Sequence, residues 1–330
     1  MDALRFHGGR VDAAMQRFPD APRPWLDLST GINRDGWRPA TPLALDLQAL
    51  PSVTALAGLN GAAAGAFGAP DVAITALPGT EMGLRMLGRI GLPAPYHHVA
   101  PGYRTHGAAL PGSVAISVDA LGDVAAGGGT VLLANPNNPD GRLLSPERLL
   151  DVAQMLGRRG GMLVIDEAYA DAVPGVSVLP HLAGDANVLV LRSFGKFFGL
   201  AGVRLGFACG AAGVVARIAE QAGSWPVSAT AIAYGNAAYR DAAWIAATRV
   251  RIGAQALALD CVLRARGLVP VGGCPLFRLV ECEDGEALFG RLARAGILTR
   301  PFDDAPHRLR IGLPGDDAAL ARLDGALRGG

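Results

Sequence analysis

Cysteine is scarce in this chain: the 330 residues hold four, Cys209, Cys261, Cys274 and Cys282, and none sits in Cys-x-x-Cys spacing. That scatter offers neither a zinc-ligand set nor a disulfide framework, and small buried hydrophobes account for it. Net charge is nearly absent as well, because 30 Lys and Arg meet 29 Asp and Glu. There is no basic footprint for nucleic acid and no field for an anionic membrane, which leaves a small molecule as the expected partner. Nor does any window reach a clean membrane-spanning length. The start, Met1 to Arg10, carries charges and glycines where a signal peptide has its apolar core, so a cytoplasmic protein is expected. What is abundant is apolar content: half of the residues are hydrophobic and 18% are charged, enough for a large core in two lobes.

Short apolar runs alternate with longer helical stretches. Val72 to Leu77, Val114 to Val118, Thr130 to Ala134, Met162 to Ile165, Val188 to Leu191 and Leu205 to Cys209 read as strands buried on both faces. Their alternation with helices predicts a mostly parallel sheet in an α/β fold. After about Ser224 the pattern changes to an alanine-rich helical segment, Ala229 to Arg266, then Leu276 to Val280, another helix, and Leu309 to Leu313. This second pattern predicts a smaller C-terminal α+β lobe.

Ligands bind where the strands of such sheets end, and four segments fall there. In Leu77-Pro-Gly-Thr-Glu-Met-Gly83 a strand end turns into a helix, whose first amides, at Gly79, Thr80 and Glu81, can hold a phosphate. Ala134-Asn-Pro-Asn-Asn-Pro-Asp-Gly141 is too rich in turn formers for helix or strand, and Asn138 in it can donate to a phenolic oxygen of a ring ligand. Met162-Leu-Val-Ile-Asp-Glu-Ala-Tyr169 ends an apolar strand on two carboxylates, so Asp166 either caps a helix or meets a buried cation. In Leu191-Arg-Ser-Phe-Gly-Lys-Phe-Phe-Gly-Leu-Ala-Gly-Val-Arg-Leu-Gly206 the lone lysine, Lys196, stands among phenylalanines and glycines. An apolar setting depresses an amine's pKa and makes it nucleophilic toward a carbonyl, the requirement for Schiff-base catalysis. Ser193 and Arg204 flank it as phosphate contacts.

Taken together, these segments resemble the fold-type-I pyridoxal-phosphate enzymes related to aspartate and histidinol-phosphate aminotransferases. The resemblance implies a fold-type-I transferase architecture with bound pyridoxal 5'-phosphate, divided into an N-terminal arm (1–35), a large cofactor-binding domain (36–225) and a small C-terminal domain (226–330). It implies that Lys196 binds the cofactor covalently and that Asp166 faces the pyridine nitrogen. Asn138 and Tyr169 fall on the phenolic oxygen, and Gly79, Thr80, Ser193 and Arg204 on the phosphate, with Glu81 beside them. Tyr103, in Pro101-Gly-Tyr103, takes the ring-stacking position. Such enzymes are homodimers.

The N-terminus narrows the branch. Phe6-His-Gly-Gly9 and Leu26-Asp-Leu-Ser-Thr-Gly-Ile-Asn33 resemble the threonine-phosphate decarboxylases of cobalamin biosynthesis, although Gly31 and Arg34 replace that branch's asparagine and proline. The implied substrate is a small phosphorylated amino acid, L-threonine O-3-phosphate, met by His7, Gly31, Asn33, Asn138, Arg300 and Arg310. By resemblance Arg310 takes the carboxylate and Arg300 is a second anion contact, with Arg308 the neighbour most easily confused with Arg310. Two other readings stay open: an aminotransferase acting on a compound such as histidinol phosphate, and a subunit that hands its product to an amide-forming partner of the cobalamin pathway. A tyrosine that relatives send across the dimer to the cofactor phosphate has no counterpart in Ala49-Leu-Pro-Ser52.

Overall fold

Residues that are apolar at every position of a short run have to bury both faces, and residues 131–134 and 162–165 do so completely. A computed structural model describes Leu4, residues 7–183 and residues 186–328; Phe6 lies outside the described residues. The strands, in chain order, are β1 (Leu26–Asp27), β2 (Ala73–Leu77), β3 (Tyr96–Val99), β4 (Val114–Ile116), β5 (Thr130–Ala134), β6 (Met162–Glu167), β7 (Val188–Ser193), β8 (Gly206–Gly210), β9 (Pro270–Cys274), β10 (Phe277–Glu281), β11 (Ile297–Leu298), β12 (Arg300–Pro301) and β13 (Arg308–Gly312).

Two compact units share them. The larger, residues 36–138 and 142–246, holds a seven-stranded sheet in the order β2-β8-β7-β6-β5-β3-β4. From β7 to β4 every pair is parallel, while β8 runs antiparallel to both β7 and β2. Two reversals bring β2 back parallel to β7, so the C-terminal ends of β2, β5, β6 and β7 share one edge of the sheet. Register makes that edge explicit: Ala134 pairs with Asp166 and Asp166 with Leu191, while Ser193 pairs with Gly206 and Gly206 with Leu77.

The smaller unit comprises residues 1–35, 139–141 and 247–330. Its antiparallel sheet runs β12-β13-β10-β9, and β1 pairs in parallel with β11. No helix among the described residues is long and apolar enough to cross a membrane.

Four readings of the sequence change. Val114–Val118 is not a buried strand: it shortens to β4, an edge strand whose Val114 is 58% exposed. β3 was hidden by its two histidines, which interrupt an apolar pattern. β9 was hidden by a proline and two glycines, tolerated because the strand lies at an edge. The single helix expected over 229–266 is two, Ala229–Arg240 and Ala242–Ala265. Asp241 divides them: its Oδ1 accepts from the Trp244 amide at 3.0 Å, restarting the helix, and its Oδ2 accepts from Trp37 Nε1 at 2.9 Å.

Candidate active site

Lys196 rides on a short helix, Phe194–Phe197, at the end of β7. Its phenylalanine neighbours work differently from the reading above: Phe194, Phe197 and Phe198 are at most 1% exposed. They pack into an aromatic cluster, with Phe194 stacked on Phe198 at 4.7 Å and Phe198 on Trp244 at 5.5 Å. The rings therefore anchor the backbone on either side of a half-buried amine, which lies 5.9 Å from the centre of the Tyr169 ring.

The two acids that end β6 part company because successive strand residues face opposite ways. Asp166 meets His106: Nε2 of the imidazole lies 3.0 Å from Oδ2, and Oδ1 accepts from the Ala168 amide at 3.1 Å. His106 is fully buried and its ring meets Tyr103 edge-on. Glu167 goes the other way, accepting from Arg192 Nη1 at 3.0 Å, from Ser177 Oγ at 2.6 Å and from the Val178 amide at 3.0 Å. Arg192 also pairs with Asp171 and lies 4.1 Å over the Phe67 ring. Burial opposes the charge on this guanidinium, but Asp171 and Glu167 outweigh it and hold Arg192 above its ordinary value.

A third group forms at the Leu77–Gly206–Ser193 row. The Thr80 hydroxyl donates to the Arg192 carbonyl at 3.0 Å, tying the start of helix Thr80–Met86 to β7. Gly79, read above as an amide donor, gives its N–H to the Leu77 carbonyl at 2.7 Å. What it contributes is room: at φ 90°, a Cβ on it would stand 2.6 Å from Arg204 Nη2. Arg204, in the left-handed region at φ 56° without being glycine, is an outlier of the kind that collects at functional sites. Gly206 is equally constrained, since a Cβ there would lie 2.6 Å from the Thr80 nitrogen. Thr80 and Ser193 thus sit at the ends of β2 and β7 on either side of Gly206, with the Arg204 guanidinium against Gly79.

Asn138 is half-buried in the loop after β5. The doubled asparagine also has a structural member: buried Asn137 donates from Nδ2 to the Pro101 carbonyl at 2.9 Å, joining this loop to the one that carries Tyr103. His106, Asn137 and Arg192 were not singled out in the sequence, because a lone histidine or arginine has no periodicity. The one signal that could have found His106 is its spacing, three residues after Tyr103.

The family model for aminotransferase class I and II matches residues 115–327. The chain belongs to that family. Threonine-phosphate decarboxylases from Sinorhizobium sp and Pseudomonas aeruginosa are each 40% identical to it, the first across 99% of this chain and 98% of its own length, the second across 98% and 97%. A histidinol-phosphate aminotransferase from Mycobacterium tuberculosis is also 40% identical, but over 52% of this chain and 47% of its own. The histidinol-phosphate aminotransferase from Sinorhizobium meliloti in complex with pyridoxal-5'-phosphate has the same fold, with a TM-score of 0.80 at 23% identity over 96% of this chain and 93% of that one.

The smaller unit of this family member gathers the remaining candidates. Arg300 and Arg310 are 8% and 6% exposed and stand directly opposite each other in the β12–β13 register. Arg310 Nη2 donates to the Ser29 carbonyl at 2.8 Å, while the Gly9 amide donates to Ser29 Oγ at 2.7 Å. Gly8 and Gly9, which follow His7 in the chain, therefore share Ser29 with Arg310, and Gly31 and Asn33 just beyond Ser29 are buried. Asn33 Oδ1 accepts from the Asp35 amide at 3.1 Å, which fixes the turn. Arg308 is occupied elsewhere, its Nε 2.8 Å from Glu281 Oε1 at the surface.

Proposed function

We propose that this chain decarboxylates L-threonine O-3-phosphate to (R)-1-amino-2-propanol O-2-phosphate, with pyridoxal 5'-phosphate as its cofactor and the aminopropanol arm of cobalamin as the destination of the product. The near full-length likeness to two threonine-phosphate decarboxylases supports the substrate. The observation that carries the reading is the pair of buried arginines, Arg300 and Arg310. Like charges facing each other across a strand pair are destabilising, and a substrate with both a phosphate and a carboxylate relieves that cost.

The residues of the larger unit fit the cofactor: a cradle beside β2 that a side chain on Gly79 would fill, a lysine just after β7, and a buried carboxylate at the end of the adjacent β6. When bound, pyridoxal phosphate supplies a protonated ring that accepts the electron pair left behind by departing carbon dioxide. Asp166 holds the proton on the ring nitrogen, and His106 and the Ala168 amide orient that carboxylate. Lys196 is the residue that would hold the cofactor through its Nζ, and the same Nζ would move a proton for the substrate. Tyr103 takes the ring face, Asn138 and Tyr169 the phenolic oxygen, and Thr80, Ser193 and Arg204 the phosphate. Arg310 takes the substrate carboxylate, and Arg300 with His7 takes the substrate phosphate. A decarboxylase has to hold the carboxylate out of the ring plane, and two anchors define that torsion where one does not. The active species is a homodimer.

The deciding experiment incubates pure protein with threonine phosphate and measures carbon dioxide and amine. Release of both is expected. A keto product formed with 2-oxoglutarate, without carbon dioxide, replaces the decarboxylase by an aminotransferase. Activity that appears only with an amide-forming partner favours the delivery subunit.

A further inference from the structure

Glu81 was singled out for its amide, but its side chain is the more informative part. The carboxylate is two-thirds buried. Its Oε2 accepts from the Tyr103 hydroxyl at 3.1 Å, and its Oε1 accepts from Thr105 Oγ1 at 3.2 Å and from Arg85 Nε at 2.9 Å. Arg85 is one helical turn further along the same helix, so the carboxylate is fixed from its own element and from the Tyr103 loop together. His106 meets the Tyr103 ring in a perpendicular contact, with ring centres 5.7 Å apart and planes at 87°. The phenol is therefore held at its hydroxyl by Glu81 and packed against the perpendicular His106 ring. Burial, with the Glu81 charge adding to it, pushes the Tyr103 hydroxyl up to about 12, so it remains a donor throughout the neutral range.

We infer that Glu81 is a positioning residue whose carboxylate locks the plane of Tyr103, the ring on which the cofactor's pyridine is to stack. Helix Thr80–Met86 then sets two coordinates of one ligand: its first residue lies at the phosphate cradle and its second clamps the stacking ring. This inference rests on the pyridoxal-phosphate function proposed above.

The test titrates apo-protein with pyridoxal phosphate, following visible absorbance and the circular dichroism of the bound chromophore. The proteins are the wild type, Glu81→Ala, Glu81→Gln, Tyr103→Phe and the Glu81→Ala/Tyr103→Phe double variant. Glu81→Ala is expected to weaken cofactor affinity about 10-fold, the scale of one hydrogen bond to a charged group, and to lower the visible dichroism. Glu81→Gln keeps an oxygen that accepts from Tyr103, so most of the affinity and dichroism is expected to return. Because Glu81 acts through Tyr103, the double variant should bind no worse than the weaker single variant, within about twofold. If Glu81→Ala does not fold, Thr105→Val removes one of the bonds that fix the carboxylate and is expected to weaken binding about threefold. Additive losses in the double variant, or Glu81→Ala and Thr105→Val at wild-type affinity and dichroism, overturn the inference alone. Wild-type protein that takes up no cofactor overturns the proposed function together with it.

Discussion

Lys196 is the only lysine in the chain, every other basic side chain of its class being arginine. Borohydride reduction of the cofactor-loaded protein should therefore leave a pyridoxyl group on the peptide containing Lys196 and none in Lys196→Ala. Mass spectrometry that finds the group only on the N-terminal amine would reject the assignment. Asp166→Asn should keep the phosphate contacts and lose about 100-fold or more in kcat, the scale of one preorganised electrostatic partner. Its neighbour Glu167 cannot substitute, because it faces the other side of the strand and is bonded to Arg192 and Ser177. Tyr103 carries a pH prediction. Its folded hydroxyl holds its proton to about 12, whereas a free phenol loses it near 10. Between those values the unfolded chain binds fewer protons than the native one, so stability falls as pH rises. The urea midpoint should drop less steeply from pH 9 to 11 in Tyr103→Phe than in the wild type. Lys196 and Asp166 were legible because strand-end chemistry selects residue types within a few positions. His106 and the Glu81 carboxylate were not, because their partners are 60 and 22 residues away in the chain.

Among the elements, helix Thr80–Met86 and strand β8 depend on each other through backbone. A Cβ on Gly206 would meet the Thr80 nitrogen at 2.6 Å and the Arg192 carbonyl at 2.9 Å, neither of which is the end of a movable side chain. Gly206→Ala should push the first turn of the helix off β7, lowering stability by about 1–3 kcal/mol and weakening cofactor binding in an apo titration. An unchanged affinity would mean that Thr80 takes no part in the cradle. The central strands were readable because an all-apolar run has one stable environment. The break at Asp241 was not, since an aspartate between two alanine-rich segments reads as exposed helix until Trp37, 204 residues away, takes one of its oxygens.

For the whole molecule, the two-anchor account predicts an asymmetry between Arg310 and His7. Arg310→Ala should cut kcat/KM for threonine phosphate by about 100-fold, the upper range for hydrogen bonds to a charge. His7→Ala should lower kcat as well as raise KM, because remote binding energy orients the reacting bond. Steady-state rates of carbon dioxide release decide this, and an unchanged kcat/KM in His7→Ala would remove the N-terminal anchor. Light scattering should report twice the 33.9 kDa chain mass, and a monomer that retains full activity would contradict the proposed dimer.

The sequence by itself determined the chemistry and the class of fold. Motif spacing is local, and each of the four segments carries its residue types, turn formers and apolar strand within about 16 positions. The tertiary structure alone decided which partners those residues keep. It separated Asp166 from Glu167 by strand alternation, turned the phenylalanines around Lys196 into anchors, and reassigned Gly79 from donor to space. It also set Arg300 against Arg310 and Glu81 against Tyr103. The reason is that register and side-chain direction are set by contacts between segments far apart in the chain, and no local pattern contains them.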